Sequence, residues 1–271
     1  MIWLLLACNG GAVTPTDDSP VDSEDTHTET GDTSPDTSDT DTDPPEDTSV
    51  EFAGPPRVIL FIGDGMGPEH IAGGGLYANG EAGTLRMESL PVQGRLRTAS
   101  LDGLTDSAAS GTALSTGVKT TNGRLGMTRE GDVVQNALEL ASGLGLSTGV
   151  ITTDNLWGAT PSSFLVHEPS RYDGGAISRA IALALPDLLF GGGGGLLAPE
   201  LETLDIQGLA TREELLALEP DGRPLVGLFQ QDTFPYVADG YAETIPTLAE
   251  MTQAALTLLE GDDDGFVLIV E

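Results

Sequence analysis

The chain has 271 residues, 39% of them hydrophobic, with 43 acidic and 11 basic side chains and a formal net charge of −32. This length and hydrophobic content suffice for one large α/β core. The charge argues against a nucleic-acid partner, because a phosphate backbone would be repelled rather than neutralised. The single cysteine, Cys8, excludes an internal disulfide framework.

Residues 1–8 form the first segment, with the sequence MIWLLLAC. The apolar run is shorter than the roughly 20 residues that a membrane-spanning helix needs. Its end, LLAC, resembles a bacterial lipobox, which implies cleavage of a signal segment and lipid modification of Cys8. We therefore predict an exported protein, a periplasmic or cell-surface lipoprotein of a bacterium tethered to the membrane through Cys8. A positive n-region and a longer apolar stretch are missing, so an accidental hydrophobic start is the alternative.

Residues 9–54 form an acidic segment rich in Asp, Thr, Ser and Pro, which contains no Lys or Arg. Low hydrophobicity and high like charge cannot offset the entropy of ordering, so this segment is predicted to be a disordered linker. The linker would hold a folded domain away from a surface. That domain is predicted to occupy residues 55–271, and no further domain boundary is evident.

The folded part begins with RVILFIGDGMG, in which an apolar run from Val58 to Ile62 ends at Gly63-Asp64-Gly65. The pattern is typical of a buried strand that delivers a carboxylate at its C-terminal end, where open α/β sheets bind ligands. The alternative is that Asp64 is a turn residue.

Small residues surround Ser107 in the segment LTDSAASGTALSTGVKTTNG, residues 104–123. A helix is predicted from Ala108 to Leu114, with Ser107 near its first turn, where the helix dipole favours an anion or a nucleophilic oxygen. The alternative is that Asp106 and Ser107 only cap the helix. No G-x-S-x-G motif is present, so a nucleophilic Ser107 would need an activator other than histidine, such as a metal ion.

The next segment predicts a strand from Thr148 to Thr152, a loop carrying Thr160, and a helix from Pro161 toward Arg171. Arg171 could offer its planar guanidinium to an oxyanion, or it could pair with Asp173 or Glu168 at the surface.

Further strands are predicted at residues 187–190, in RPLVGLF and in GFVLIVE, the last with Glu271 at its tip. The glycines of FGGGGG are predicted to form a flexible turn, and TIPTLAEMTQAALTLLE a helix with Pro246 in its first turn. Alternating strands and helices predict an α/β fold with a mostly parallel central sheet and helices on both faces.

Four of these motifs, in this order, resemble the bacterial and animal alkaline phosphatases: VILFIGDGMG, TDSAASGTALSTGVKTTNG, GVITTDNLWGATPSSFLVHEPSR and the C-terminal IPTLAEMTQAALTLL…GFVLIVE. The resemblance implies hydrolysis of small phosphate monoesters. Ser107 would be the nucleophile that is transiently phosphorylated, Arg171 would bind two phosphate oxygens, and Asp106 would hold Arg171 in place. A homodimer is also implied.

The resemblance further implies a magnesium ion and two zinc ions. Asp64 would be shared by magnesium and one zinc, and Thr160 and Glu271 would be the other protein ligands of magnesium. Carboxylate, hydroxyl and water oxygens are the ligands that Mg²⁺ prefers. Family members carry Asp or His two residues before the magnesium-binding hydroxyl, where this chain has Gly158, so a supporting partner of the site is expected to be missing.

The remaining zinc ligands of the family lie beyond the position of Glu271, and none of His27, His70 and His167 matches them. The chain is therefore expected to be the N-terminal part of a phosphatase, with a sheet incomplete at the C-terminus and little activity alone. Two alternatives are a non-enzymatic, surface-anchored acidic protein that binds cations or phosphate, and a phosphodiesterase or sulfatase of the same superfamily. Sulfatases carry x-Pro-x-Arg after the nucleophile, and that pattern is absent at Ser107.

Overall fold

The computed structural model describes residues 4–8, by backbone alone, and residues 54–240 and 243–271. The strands of these parts are β1 (Leu4–Cys8), β2 (Arg57–Ile62), β3 (Ser147–Asn155), β4 (Leu188–Gly192), β5 (Gln207–Leu209), β6 (Leu225–Leu228) and β7 (Phe266–Val270). The α-helices are α1 (Pro68–Asn79), α2 (Ser107–Thr116), α3 (Ala137–Gly143), α4 (Ala159–Ser162), α5 (Gly174–Ala184), α6 (Gly194–Leu201), α7 (Arg212–Leu216) and α8 (Leu248–Leu259). Short 3-10 helices span Arg86–Ser89 and Val237–Asp239.

The strands form one sheet in the order β1-β2-β7-β3-β4-β6-β5. All neighbours from β2 to β5 are parallel, and β1 is antiparallel to β2. The register aligns Phe61 of β2, Val270 of β7 and Ile151 of β3 in one row. The residues that follow this row in the three strands therefore emerge at the same edge of the sheet.

Alternate residues of the strands enter two separate apolar clusters. Leu60, Val150 and Ile269 belong to the cluster that contains residues of α2, α3, α5 and α6. Their neighbours Ile151 and Leu268 belong to the cluster that contains residues of α7 and α8. Because side chains alternate across a strand, the two clusters lie on opposite faces of the sheet. The predicted fold class, a mostly parallel sheet with helices on both faces, is confirmed.

The helix predicted from Pro161 toward Arg171 is wrong. The helix here is α4, which already contains Thr160 and ends at Ser162. The hydroxyl of Ser163 donates to the carbonyl of Thr160 at 2.7 Å, so a side chain replaces the next helical bond. The next residues form a turn, in which the amide of Phe164 donates to the carbonyl of Pro161 and the amide of Leu165 to that of Ser162, each three positions back.

The glycine run is not a flexible turn. Gly191 and Gly192 complete β4, and Gly194 begins α6. A β-carbon on Gly192 would lie 2.1 Å from the carbonyl oxygen of Asp232, so only glycine permits this approach. Gly193 has φ of +89° between the strand and the helix. The glycines are thus required by close backbone packing.

The other predicted elements agree with the structure except at their ends. Strand β3 runs three residues beyond Thr152, to Asn155. Helix α8 begins at Leu248, with Thr247 as its N-cap, so Pro246 precedes the helix instead of lying in its first turn. The side chain of Thr247 accepts from the amide of Glu250, and the carboxylate of Glu250 accepts from the amide of Thr247. This reciprocal cap defines where α8 starts.

Most of the predicted linker, residues 9–53, lies outside the described residues, and His27 lies there too. Strand β1 includes Cys8, whose lipidation stays a prediction. None of the helices in the described parts of the chain combines the length and the apolar character that crossing a bilayer requires.

Candidate active site

Three parallel strands bring oxygen-bearing side chains to one edge of the sheet. Asp64 lies two residues after β2, and Glu271 directly follows β7. The hydroxyl of Thr152, in β3, donates to Glu271 Oε2 at 2.7 Å, and it accepts from the amide of Asp154 at 2.8 Å. The C-terminal edge of a parallel sheet is where such folds bind ligands.

Ser107 is the first residue of α2, and Asp106 is its N-cap. Asp106 Oδ1 accepts from the amide of Ala109 at 2.9 Å, so the capping is done by Asp106. The hydroxyl of Ser107 instead donates to Asp64 Oδ2 at 2.7 Å. Ser107 therefore faces the edge of the sheet, where the dipole of a ten-residue helix adds positive potential.

Thr160, which is 4% exposed, completes the group around Asp64. Its hydroxyl lies 3.4 Å from Asp64 Oδ2, and the Thr160 side chain also lowers the pKa of Glu271. The structure thus brings together the three residues predicted to hold magnesium. Two carboxylates and a hydroxyl, with room left for water, suit the octahedral oxygen coordination of Mg²⁺.

The carboxylates of this edge are hard to ionise together. Burial raises the pKa of Glu271 to about 7, against the opposing effect of hydrogen bonds from Thr152 and Thr160, and the charges of Asp154 and Asp64 raise it further. Burial also raises the pKa of Asp154, with added repulsion from Asp64 and Asp232. A divalent cation would stabilise the ionised forms of these groups.

Arg171 is held against the N-terminus of α2. Its Nη1 donates to Asp106 Oδ2 at 3.3 Å, and its backbone amide donates to the carbonyl of Gly123 at 2.8 Å. The amide of Gly123 donates in turn to Asp106 Oδ2 at 3.0 Å. Of the two alternative partners named from the sequence, Asp173 instead caps α5 through the amide of Ala176. The one ion pair of Arg171 among the described residues is with Asp106.

Asp154 is the residue of this edge that the sequence analysis missed. It is half-buried near the end of β3, and its charge acts on Asp64, Asp232 and Arg171. The signal was present, because Asp154 follows the buried part of a strand much as Asp64 does in RVILFIGDGMG.

The residues present do not fit a zinc centre. His70 Nδ1 accepts from the amide of Gly67 at 3.2 Å, at the start of α1. His167 bridges the carbonyl of Gly126 and Glu139 Oε1, each at 2.7 Å. Across the described ranges, no three His, Cys, Asp or Glu side chains are grouped so that they could hold a metal ion. The residues predicted to hold magnesium are two carboxylates, Asp64 and Glu271, and the hydroxyl of Thr160, so they are not a group of this kind.

Comparison with known proteins shows the family of this chain. The sequence model of the family Alkaline phosphatase matches residues 56–185 and 192–271. An alkaline phosphatase of Escherichia fergusonii is 32% identical, over 79% of this chain and 59% of that protein. The streptomycin-6-phosphate phosphatase of Streptomyces griseus is also 32% identical, over 80% of this chain and 62% of that protein. The chain thus spans about 60% of the length of these curated relatives.

Solved structures of alkaline phosphatases resemble the fold of this chain. The crystal structure of a cold-active alkaline phosphatase from Shewanella sp. superposes with a TM-score of 0.70 and 31% identity, covering 79% of this chain and 55% of that one. A variant of the alkaline phosphatase of the Antarctic bacterium TAB5, solved with Mg bound, gives a TM-score of 0.57 at 25% identity, covering 64% of this chain and 52% of that one.

Proposed function

Because this chain belongs to the alkaline phosphatase family, we propose that it carries the nucleophile, the phosphate-binding arginine and the magnesium ligands of a phosphomonoester hydrolase. The reaction would proceed through a phosphoserine intermediate at Ser107. The observation that carries this proposal is the position of the Ser107 hydroxyl, at the first turn of α2 and 2.7 Å from Asp64 Oδ2.

In the proposed reaction, Ser107 is the group that attacks phosphorus. The hydroxyl of Ser107 donates its proton toward Asp64 Oδ2, which leaves the lone pairs of the oxygen available to attack phosphorus. The bond from phosphorus to the ester oxygen breaks as the bond to Ser107 forms, and the ester oxygen takes up a proton and leaves as the alcohol. Water then attacks the phosphorus, so that inorganic phosphate is released and the Ser107 oxygen regains a proton. The transition state is stabilised by positioning and by charge neutralisation rather than by covalent assistance.

Arg171 supplies part of that neutralisation. Its guanidinium presents several N–H groups in one plane, and Asp106 occupies only Nη1 in the structure. The remaining N–H groups can bind two phosphate oxygens at once, which fixes the orientation of the phosphoryl group. The positive end of the α2 dipole favours the same negative charge.

Asp64, Thr160 and Glu271 would hold the magnesium ion, as their oxygen atoms and mutual contacts suit it. Bound Mg²⁺ would supply positive charge beside the nucleophile and its carboxylate partner. The TAB5 variant with Mg bound supports metal use in this family. For zinc the described residues offer Asp64 without histidine ligands, so zinc chemistry is assigned to none of them.

The substrate class we propose is a small phosphate monoester, and the Streptomyces griseus relative is named for one such substrate, streptomycin-6-phosphate. The lipobox-like residues 1–8 lead us to propose an exported lipoprotein that is tethered through Cys8. We also propose a homodimer, on the strength of the family resemblance alone.

A labelling experiment on the full-length protein tests the central proposal. Ser107→Ala should abolish the covalent phosphoenzyme that is trapped by acid quenching with a ³²P-labelled monoester. Ser110→Ala is the matched control, because the Ser110 hydroxyl donates to the backbone carbonyl of Asp106 and not to Asp64. The control should label normally, whereas unchanged labelling of Ser107→Ala would remove Ser107 from the mechanism.

A further inference from the structure

Gly158, which precedes α4, lies where neighbouring atoms leave no room for a side chain. Its φ of −59° and ψ of 159° are accessible to any residue, so the backbone does not demand glycine. A β-carbon at this position would lie 2.6 Å from Asp154 Oδ2 and 2.8 Å from the carbonyl oxygen of Asn155. The carboxylate of Asp154 therefore occupies the volume into which a side chain at position 158 would project.

Asp154 is connected to the surroundings of two proposed magnesium ligands, Glu271 and Thr160. On one side, the amide of Asp154 donates to Thr152, whose hydroxyl donates to Glu271. On the other side, Gly158 is the N-cap of α4, the helix that carries Thr160. The charge of Asp154 adds to the effect of burial that raises the pKa of Glu271.

Within residues 54–240 and 243–271, the Asp154 carboxylate has few hydrogen-bond donors. The side chain of Asn155 reaches Asp154 Oδ1 at 3.4 Å, and the backbone of Asn155 contributes a second bond. No lysine or arginine of these ranges forms an ion pair with it. The charge of Arg171 lowers the pKa of Asp154, but burial and the charges of Asp64 and Asp232 outweigh it. The ionised form of this half-buried carboxylate is therefore costly unless a further cation or its water shell lies nearby.

We propose that Asp154 is a positioning residue of the magnesium site, which accepts hydrogen bonds from water bound to the Mg²⁺ that Asp64, Thr160 and Glu271 hold. It takes the place that a side chain at position 158 would otherwise fill. The missing partner expected from Gly158 is thus supplied by a residue four positions earlier. This inference rests on the proposed function, because it requires the magnesium site.

Calorimetric titration of the zinc-loaded full-length protein with MgCl₂ tests the inference without measuring turnover. Thr160→Val, which removes a proposed ligand at nearly constant shape, identifies the binding heat that belongs to this site. Asp154→Asn should weaken that Mg²⁺ binding by about 10- to 100-fold, the usual effect of losing an outer partner of a metal site. Asp232→Asn removes an exposed carboxylate that also acts on Asp154, and it should change the dissociation constant by less than about threefold.

Thermal unfolding of the metal-free protein separates a role in metal binding from a role in folding. Asp154→Asn should leave the unfolding temperature equal or higher, because it removes a desolvated charge that is repelled by its neighbours. A lower unfolding temperature of the metal-free variant would indicate a structural role and overturn the inference. So would unchanged Mg²⁺ affinity, or equal losses in Asp154→Asn and Asp232→Asn.

The outcomes also separate this inference from the proposed function. Normal phosphoserine formation together with unchanged Mg²⁺ affinity of Asp154→Asn would overturn only the role of Asp154. Absence of any Mg²⁺ binding that Thr160→Val removes would overturn both the magnesium site and the inference drawn from it.

Discussion

The two carboxylate oxygen atoms of Asp106 have different partners. Oδ1 caps α2 through the amide of Ala109, and Oδ2 accepts from Gly123 and Arg171. We expect Arg171→Ala to weaken competitive inhibition by inorganic phosphate about 10- to 100-fold in the full-length enzyme, because hydrogen bonds to a charged group contribute about 1.5–3 kcal/mol. Asp106→Asn, which keeps the capping oxygen and loses the charge that orients Arg171, should have a smaller effect in the same direction.

The control for this measurement is Arg179→Ala, which removes an exposed arginine from α5. Its inhibition constant for phosphate should match that of the unmodified enzyme. If Arg179→Ala weakened inhibition as much as Arg171→Ala, the loss would come from the change in net charge. Arg171 would then not bind phosphate directly.

At the same scale, the sequence predicted which residues meet at the edge of the sheet, apart from Asp154. Asp64 and Glu271 each follow an apolar run, and a buried parallel strand implies the position of the residue after it. Asp154 follows two threonines, and its position depends on the missing side chain at Gly158, whose volume the Asp154 carboxylate fills. That space is a property of the folded backbone, which no local pattern of residues reveals.

Among the elements, the N-terminus of α8 is joined to α7 by a charged pair. Arg212 donates to Glu250 through Nε at 2.9 Å, and Glu250 also accepts from the amide of Thr247. The hydrogen bonds from Arg212, followed by that from Thr247, lower the pKa of Glu250 from 4.5 to about 2. This contribution to stability is complete above about pH 4.5 and is lost as the pH falls from there toward 2.

We therefore expect Glu250→Gln to destabilise the protein at neutral pH, with the difference from the unmodified protein shrinking between about pH 4.5 and 2. Urea unfolding at a series of pH values measures this difference. Glu213→Gln, on the exposed side of α7, should show no such pH-dependent difference. A constant difference for Glu250→Gln across the whole range would mean that packing, and not the ionised pair, joins the two helices.

The elements that the sequence predicted well are those whose pattern is complete within a few residues. Strands β2 and β7 are apolar runs that are bounded by glycine or charge, and their ends agree closely with the structure. The helix predicted from Pro161 and the turn predicted for the glycines failed for a different reason. Both segments are contacted by distant groups, because the hydroxyl of Ser115 donates to the carbonyl of Ser163 and the carbonyl of Asp232 lies against Gly192.

For the whole molecule, the distribution of metal ligands predicts what the 271-residue chain can do by itself. Its described residues bring together Ser107 and Asp64, and Arg171 and Asp106, which we propose for catalysis, phosphate binding and magnesium binding. These described residues contain no grouped histidine and carboxylate ligands for zinc. A metal ion that activates the nucleophile and stabilises the leaving oxygen supplies much of the rate of such a reaction. The chain should therefore bind Mg²⁺ and inorganic phosphate more readily than it turns over substrate.

Expressed alone, residues 1–271 are expected to hydrolyse p-nitrophenyl phosphate at a rate close to the buffer background, with Mg²⁺ present and with or without added Zn²⁺. The control is the same chain with Ser107→Ala, which should give the same trace, because the limiting deficit lies in the metal centre and not in the nucleophile. Zinc-dependent turnover at a rate typical of enzymes, lost in Ser107→Ala, would contradict this expectation. Such turnover would require zinc ligands outside the described residues. His27 in the acidic segment would then be the first ligand to test.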